Sequence, residues 1–94
     1  METTLPKYTP DDIERIFAER VQIHFHTPEL KVGTLAEWKF TYPNGNETAQ
    51  VEYSAAMHPE NHDEEIGRQV ITDRIKRALW EICGKYTLAT NEKL

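Results

Sequence analysis

Apolar residues recur every third or fourth position at both ends of this chain and every second position through its middle. The pattern divides the chain into a helix, three strands and a second, longer helix. Residues 1 to 8 lack any periodicity and read as a loose or docked arm. Thr9 as N-cap, Pro10 at the first helical position and Asp11 and Asp12 in the first turn predict a short helix. Its apolar face is Ile13, Ile16 and Phe17.

Strict alternation follows: Val21, Ile23 and Phe25 against Gln22, His24 and His26. Residues 27 to 33 form a connector, since Pro28 cannot donate to a ladder and Gly33 permits unusual dihedrals. A second strand over 34–42 sets Ala36, Trp38, Phe40 and Tyr42 against Glu37, Lys39 and Thr41. Pro43-Asn44-Gly45-Asn46 is a strong turn signal. A third strand over 47–55 then places Ala49, Val51, Tyr53 and Ala55 opposite Gln50, Glu52 and Ser54.

The last element is a helix with both ends marked. Asn61 with Glu64 three residues on fits an N-cap and its partner, and Asp63, Glu64 and Glu65 complement the positive helix end. Gly84 is a natural residue to follow the last turn. About 23 helical residues give roughly 35 Å. The tail, 87–94, is expected to be partly frayed. The architecture that follows is α+β: a short N-terminal helix, a three-stranded antiparallel sheet and a long C-terminal helix packed across one sheet face, in one domain over 1–94.

Turned on its axis, the long helix carries two apolar lines. Ile71, Ile75, Ala78, Leu79 and Ile82 fall within an arc of about 100°, which Tyr86 continues. This is the expected core stripe, facing the sheet side that carries Trp38, Phe40 and Val51. Glu64 and Arg68 extend it as an i, i+4 pair. Ile66, Val70 and Trp80 lie on nearly the opposite side, within about 80°, with Arg77 among them and Arg74 just beyond. Something must cover such a second line. The first helix or the N-terminal arm with Leu5 and Tyr8, a second copy of the chain, or a partner are the three choices. Ile66, Val70, Arg74, Arg77 and Trp80 are therefore the candidate partner-binding set, because Trp and Arg are enriched in binding hot spots.

Composition narrows the classes. Ninety-four residues with 38% apolar content suit a small globular domain. No apolar run approaches the roughly 20 residues that span a bilayer, so no membrane association is expected. The N-terminus METTLPKYTPDD does not read as a secretory signal, which makes the sequon at Asn46-Glu47-Thr48 incidental. The single cysteine, Cys83, excludes an internal disulfide and fits a reducing cytoplasm as a small apolar residue.

The net charge of −5 is uneven. Residues 1–65 carry 13 acids and 5 bases (−8), while 66–94 carry 6 bases and 3 acids (+3). An acidic body opposes approach to phosphate, and Arg68, Arg74, Lys76 and Arg77 point in several directions around the helix, so direct nucleic-acid binding is not expected. Solubility is the plainest account of the acidic surface, and imitation of nucleic acid towards a host protein is the sharper one.

Catalytic signals are sparse. His24 and His26 share one side of a strand, and His58 and His62 flank the start of the long helix. Four imidazoles could hold a transition metal if the two segments met, but solvated surface histidines are the plainer expectation. There is no glycine-rich phosphate loop and no nucleophile elbow. No catalytic residue, metal or cofactor is predicted.

The run His58-Pro59-Glu60-Asn61-His62-Asp63-Glu64-Glu65-Ile66-Gly67-Arg68, then Ala78-Leu79-Trp80, then Gly84 and Tyr86-Thr87-Leu88, resembles a family of small tailed-bacteriophage proteins. The family is named after gene forty-nine of a coliphage and gene sixty-six of a Shigella phage. Thr41-Tyr42-Pro43-Asn44-Gly45 fits the hairpin that precedes these motifs, and the likeness covers about residues 35 to 88. His62 stands where Phe is commoner, and an extra residue separates Trp80 from Gly84 and Tyr86. The resemblance implies phage origin, a bacterial cytoplasm and an accessory role outside the virion, and it transfers no catalytic residue. The expectation is a non-enzymatic phage accessory protein that binds and modulates a host protein, with defence or nucleic-acid-processing components as the target class. The alternative is an oligomeric binder of a nucleotide signal, with arginines on phosphate and Trp80 or Tyr86 stacking on a base.

Overall fold

A computed structural model describes residues 7–26, 33–55 and 63–94. The α+β order expected from the pattern is present: α1 (Pro10–Arg20), β1 (Val21–His26), β2 (Gly33–Thr41), β3 (Glu47–Ala55) and α2 (Glu64–Thr90). Thr9 caps α1 reciprocally. Its hydroxyl accepts the Asp12 N–H at 3.2 Å, and the Asp12 carboxylate accepts the Thr9 N–H at 2.9 Å. The chain turns straight from α1 into β1, and the antiparallel sheet runs β1-β2-β3.

In β1 and β2 the apolar sides coincide. Val21, Ile23 and Phe25 pair with Phe40, Trp38 and Ala36, and all six line the helix-covered face. In β3 the apolar side points the other way. Phe40, Trp38 and Ala36 pair with Thr48, Gln50 and Glu52, while Val51 pairs with Glu37 on the open face. Val51 therefore does not join Trp38 and Phe40 in the core.

The hairpin explains this correction. A two-residue Asn44-Gly45 loop would put Trp38 opposite Val51, but its closing pair would need an N–H from residue 43, and proline has none. The loop instead takes three residues. Tyr42 N–H donates to the Asn46 carbonyl at 2.8 Å, Gly45 N–H donates to the Tyr42 carbonyl at 2.9 Å, and Gly45 stands at φ 89°. A one-residue change of register turns every side chain of a strand over.

The core joins Ile13 and Ile16 of α1, Ala36, Trp38 and Phe40 of β2, and Ile71, Ile75, Leu79 and Cys83 of α2. Ala78, Ile82 and Tyr86 pack at its rim. Buried α2 residues fall at every fourth position, Gly67, Ile71, Ile75, Leu79, Cys83 and Thr87. Each step of four overshoots a full turn by about 40°, so the buried line moves about 200° round the helix from end to end. A single stripe of fixed direction captures only its middle.

Both ends of α2 differ from expectation. Asp63 is the N-cap, its carboxylate accepting the N–H groups of Glu65 and Ile66 at 2.9 and 3.2 Å. Asn61 lies outside the described residues. Gly84 does not end the helix, which runs on to Thr90 and is capped by Asn91 in the left-handed region (φ 61°).

The tail expected to fray is packed instead. Thr87 Oγ1 donates to the Glu92 carbonyl at 2.9 Å, so the 2.9 Å contact from Tyr8 must be the tyrosine hydroxyl donating to Thr87. Tyr8 in turn accepts the Leu94 N–H at 2.8 Å, and Leu94 is buried. Arg15 donates to the Leu94 main-chain oxygen at 2.7 Å, and Lys93 pairs with Asp12 at 2.7 Å. Tail, α1 and the C-terminal part of α2 thereby close one end of the core.

Candidate interaction surfaces

Two surfaces leave large apolar side chains in solvent, and the first is the outward side of α2. Ile66 is 63% exposed and Trp80 43%. Arg77 is exposed and Val70 half-buried. Leu88, 73% exposed, adds to this side four residues beyond Gly84 and eight beyond Trp80. An added side chain at Gly84 would meet nothing within 4 Å, so the surface between Trp80 and Leu88 is open. Leu88 was missed because a helix ending at Gly84 does not reach it. The absence of a breaker between Thr87 and Thr90 was the available signal.

Of the possible covers, α1 packs elsewhere on α2. Lys76 meets Glu14 at 2.9 Å and lies over the Phe17 ring. Tyr8 is occupied at Thr87, and Leu5 lies outside the described residues. Arg74 does not project freely with its neighbours, because its guanidinium donates to the Tyr53 main-chain carbonyl at 2.6 Å. Val70 and Arg77 lie one helical turn to either side of Arg74 on α2. The structure thus divides the predicted set. Arg74 is engaged at β3, while Ile66, Arg77 and Trp80 stand exposed and Val70 half-buried.

The second surface is the open face of the sheet, where Leu35, Ala49, Val51 and Tyr53 neighbour His24, His26, Glu37 and Lys39. Val51 is 62% and Tyr53 47% exposed, far from the burial their alternation suggested. The His24 and His26 rings touch edge to face at 4.3 Å, and His26 Nε2 stands 3.7 Å from Glu37. Among the described residues no three His, Cys, Asp or Glu side chains are arranged to hold a metal; His58 and His62 lie outside them. An open cleft of about 330 Å³ is lined by Gln22, Ile23, His24, Glu37 and Lys39. It lies across the sheet from α2, so it does not share a site with Trp80, Tyr86 or the α2 arginines.

Cys83 is fully buried, and burial pushes its thiol up to about 11, against a smaller opposing pull from Arg15. It stays protonated near neutral pH, which suits packing rather than attack on a substrate. Among the described residues no helix is long and apolar enough to cross a membrane.

A helix pair layered on one side of a small antiparallel sheet, with apolar side chains left on two outer surfaces, defines a small α+β protein. Residues 8–91 match the Phage protein (N4 Gp49/phage Sf6 gene 66) family, and the chain belongs to it. The match takes in α1 and β1, beyond the 35–88 stretch that carries the recognisable motifs. Searches of curated proteins and of solved structures returned no match.

Proposed function

We propose that this phage-family protein is a non-enzymatic accessory factor that binds a host protein and alters its activity, with host defence or nucleic-acid-processing components as the target class. The observation that supports it most is the outward side of α2. Ile66, Trp80 and Leu88 stand in solvent on a helix whose opposite side already supplies the core. Trp and Arg are the residue types that most often carry binding energy at interfaces, and Trp80 is the largest of these exposed side chains. Arg77 on the same side would add a charged contact at the rim.

The test is co-purification from lysate of a susceptible bacterium, with wild type compared with Trp80→Ala and Arg77→Glu. Folding of each variant is checked by circular dichroism. A protein retained by wild type and lost from both variants supports the surface, and unchanged retention on folded variants removes it. Thermal shift against a nucleotide panel separates the alternative. A ligand at 100 times its Kd adds about 2.7 kcal/mol, and such a gain would favour small-molecule binding instead.

A further inference from the structure

Among the described residues strand β3 is an edge, and its backbone shows which groups point outward. Tyr42 and Asn46 form a hydrogen-bonded pair at the head of the hairpin. Hydrogen-bonded and non-hydrogen-bonded pairs alternate from there. Thr48, Gln50, Glu52 and Ser54 therefore bond to β2, while Glu47, Ala49, Val51, Tyr53 and Ala55 turn their N–H and C=O groups to the free edge. The Arg74 hydrogen bond to the Tyr53 carbonyl agrees with that parity. The edge is nine residues long and holds no proline, lysine or arginine, the residues that usually blunt one. The opposite edge, β1, has six residues and is entered directly from α1.

We infer that two copies of this chain pair through β3, antiparallel about a twofold axis at Val51, to make one six-stranded sheet. The register follows from three constraints. Outward groups must meet outward groups, so odd positions face odd positions. Centring on Val51 gives the full overlap from Glu47 to Ala55, and centring on Ala49 or Tyr53 shortens it. In that register no like charges stand opposite: Glu52 faces Gln50 of the second copy, Glu47 faces Ala55, and Thr48 faces Ser54. On the open face Val51 meets Val51 and Tyr53 meets Ala49, which gives the exposed apolar side of β3 a cover.

Charge is compatible as well. At this edge Glu47 pairs with Lys39 at 4.0 Å and Arg74 binds the Tyr53 carbonyl next to Glu52, whereas the whole chain carries −5. The Tyr53 carbonyl has a second lone pair for the Ala49 N–H of the other copy. Neither Trp80 nor Arg77 belongs to the paired strands, so the host-protein reading neither requires this pairing nor fails with it.

Light scattering across a concentration series tests it. Wild type is expected to reach about 22 kDa, twice the 11.0 kDa chain. Val51→Lys, which sets two cations face to face, and Val51→Pro, whose missing N–H is one that points outward, are each expected to return about 11 kDa with unchanged circular dichroism. Under mild oxidation Val51→Cys should link two chains, because Cα atoms of a hydrogen-bonded pair stand about 5.5 Å apart, within disulfide reach. Gln50→Cys and Ala49→Cys should not, since neither position meets itself. A wild type that stays at 11 kDa, a dimer indifferent to both Val51 substitutions, or equal cross-linking at positions 49, 50 and 51 each overturns the pairing.

Discussion

The two faces of the sheet are built from the same alternating strands and have opposite fates. On the covered face Trp38 and Phe40 are sealed beneath α1 and α2, and the Tyr8–Thr87–Leu94 contacts close one end. On the open face Val51 and Tyr53, residues of equal apolar character, remain in solvent. Composition does not distinguish the two sets. What separates them is the three-residue loop that Pro43 imposes, which sends one strand's apolar side outward. A local rule about a missing N–H thus decides how much apolar surface the protein presents.

The largest test of that contrast lies in paired truncations. Trp38→Ala is expected to cost about 3–5 kcal/mol by chemical denaturation, as expected for loss of a buried aromatic side chain. Val51→Ala should stay within about 0.5 kcal/mol at concentrations where the protein is monomeric. Comparable losses at both positions would mean that the open face is not open.

A smaller effect is expected at the loop itself. An added Cβ at Gly45 meets nothing within 4 Å, yet its φ of 89° disfavours any L side chain. Gly45→Ala should therefore cost about 1–2 kcal/mol through the backbone alone. No loss would show that the loop does not hold the left-handed conformation on which the register rests.

The smallest effect concerns the closed end of the covered face. The bond from Lys93, then the Thr9 N–H, holds the Asp12 carboxyl down to about 2 from an ordinary 3.8. With the folded value below the unfolded one, its contribution is present above about pH 3.8 and is lost as pH falls towards 2. Lys93→Ala should flatten the acid limb of the stability profile over that window. An unchanged limb would detach the tail from α1.

Much of this fold was legible because period and caps are local. Thr9, Pro10 and Asp12 marked α1, and alternation located all three strands to within a residue or so. The failures share a physical cause. Gly84 looks like a helix end, yet a solvent-facing glycine costs a helix only about 1 kcal/mol, and packing of Cys83 and Thr87 outweighs it. The parity of β3 depended on one absent hydrogen-bond donor, which alternation cannot register. In the candidate surface, helical geometry placed Ile66 and Trp80 outward from sequence alone. The engagement of Arg74 with the Tyr53 carbonyl joins residues 21 positions apart and has no local signature.

Cross-strand Hα–Hα contacts in an NMR spectrum test the outward turn of β3 most directly, because such contacts are strongest between non-hydrogen-bonded partners. The three-residue loop predicts them for Leu35–Tyr53, Glu37–Val51 and Lys39–Ala49. Contacts that join Trp38 to Val51 instead would restore the apolar side of β3 to the core and contradict the open face.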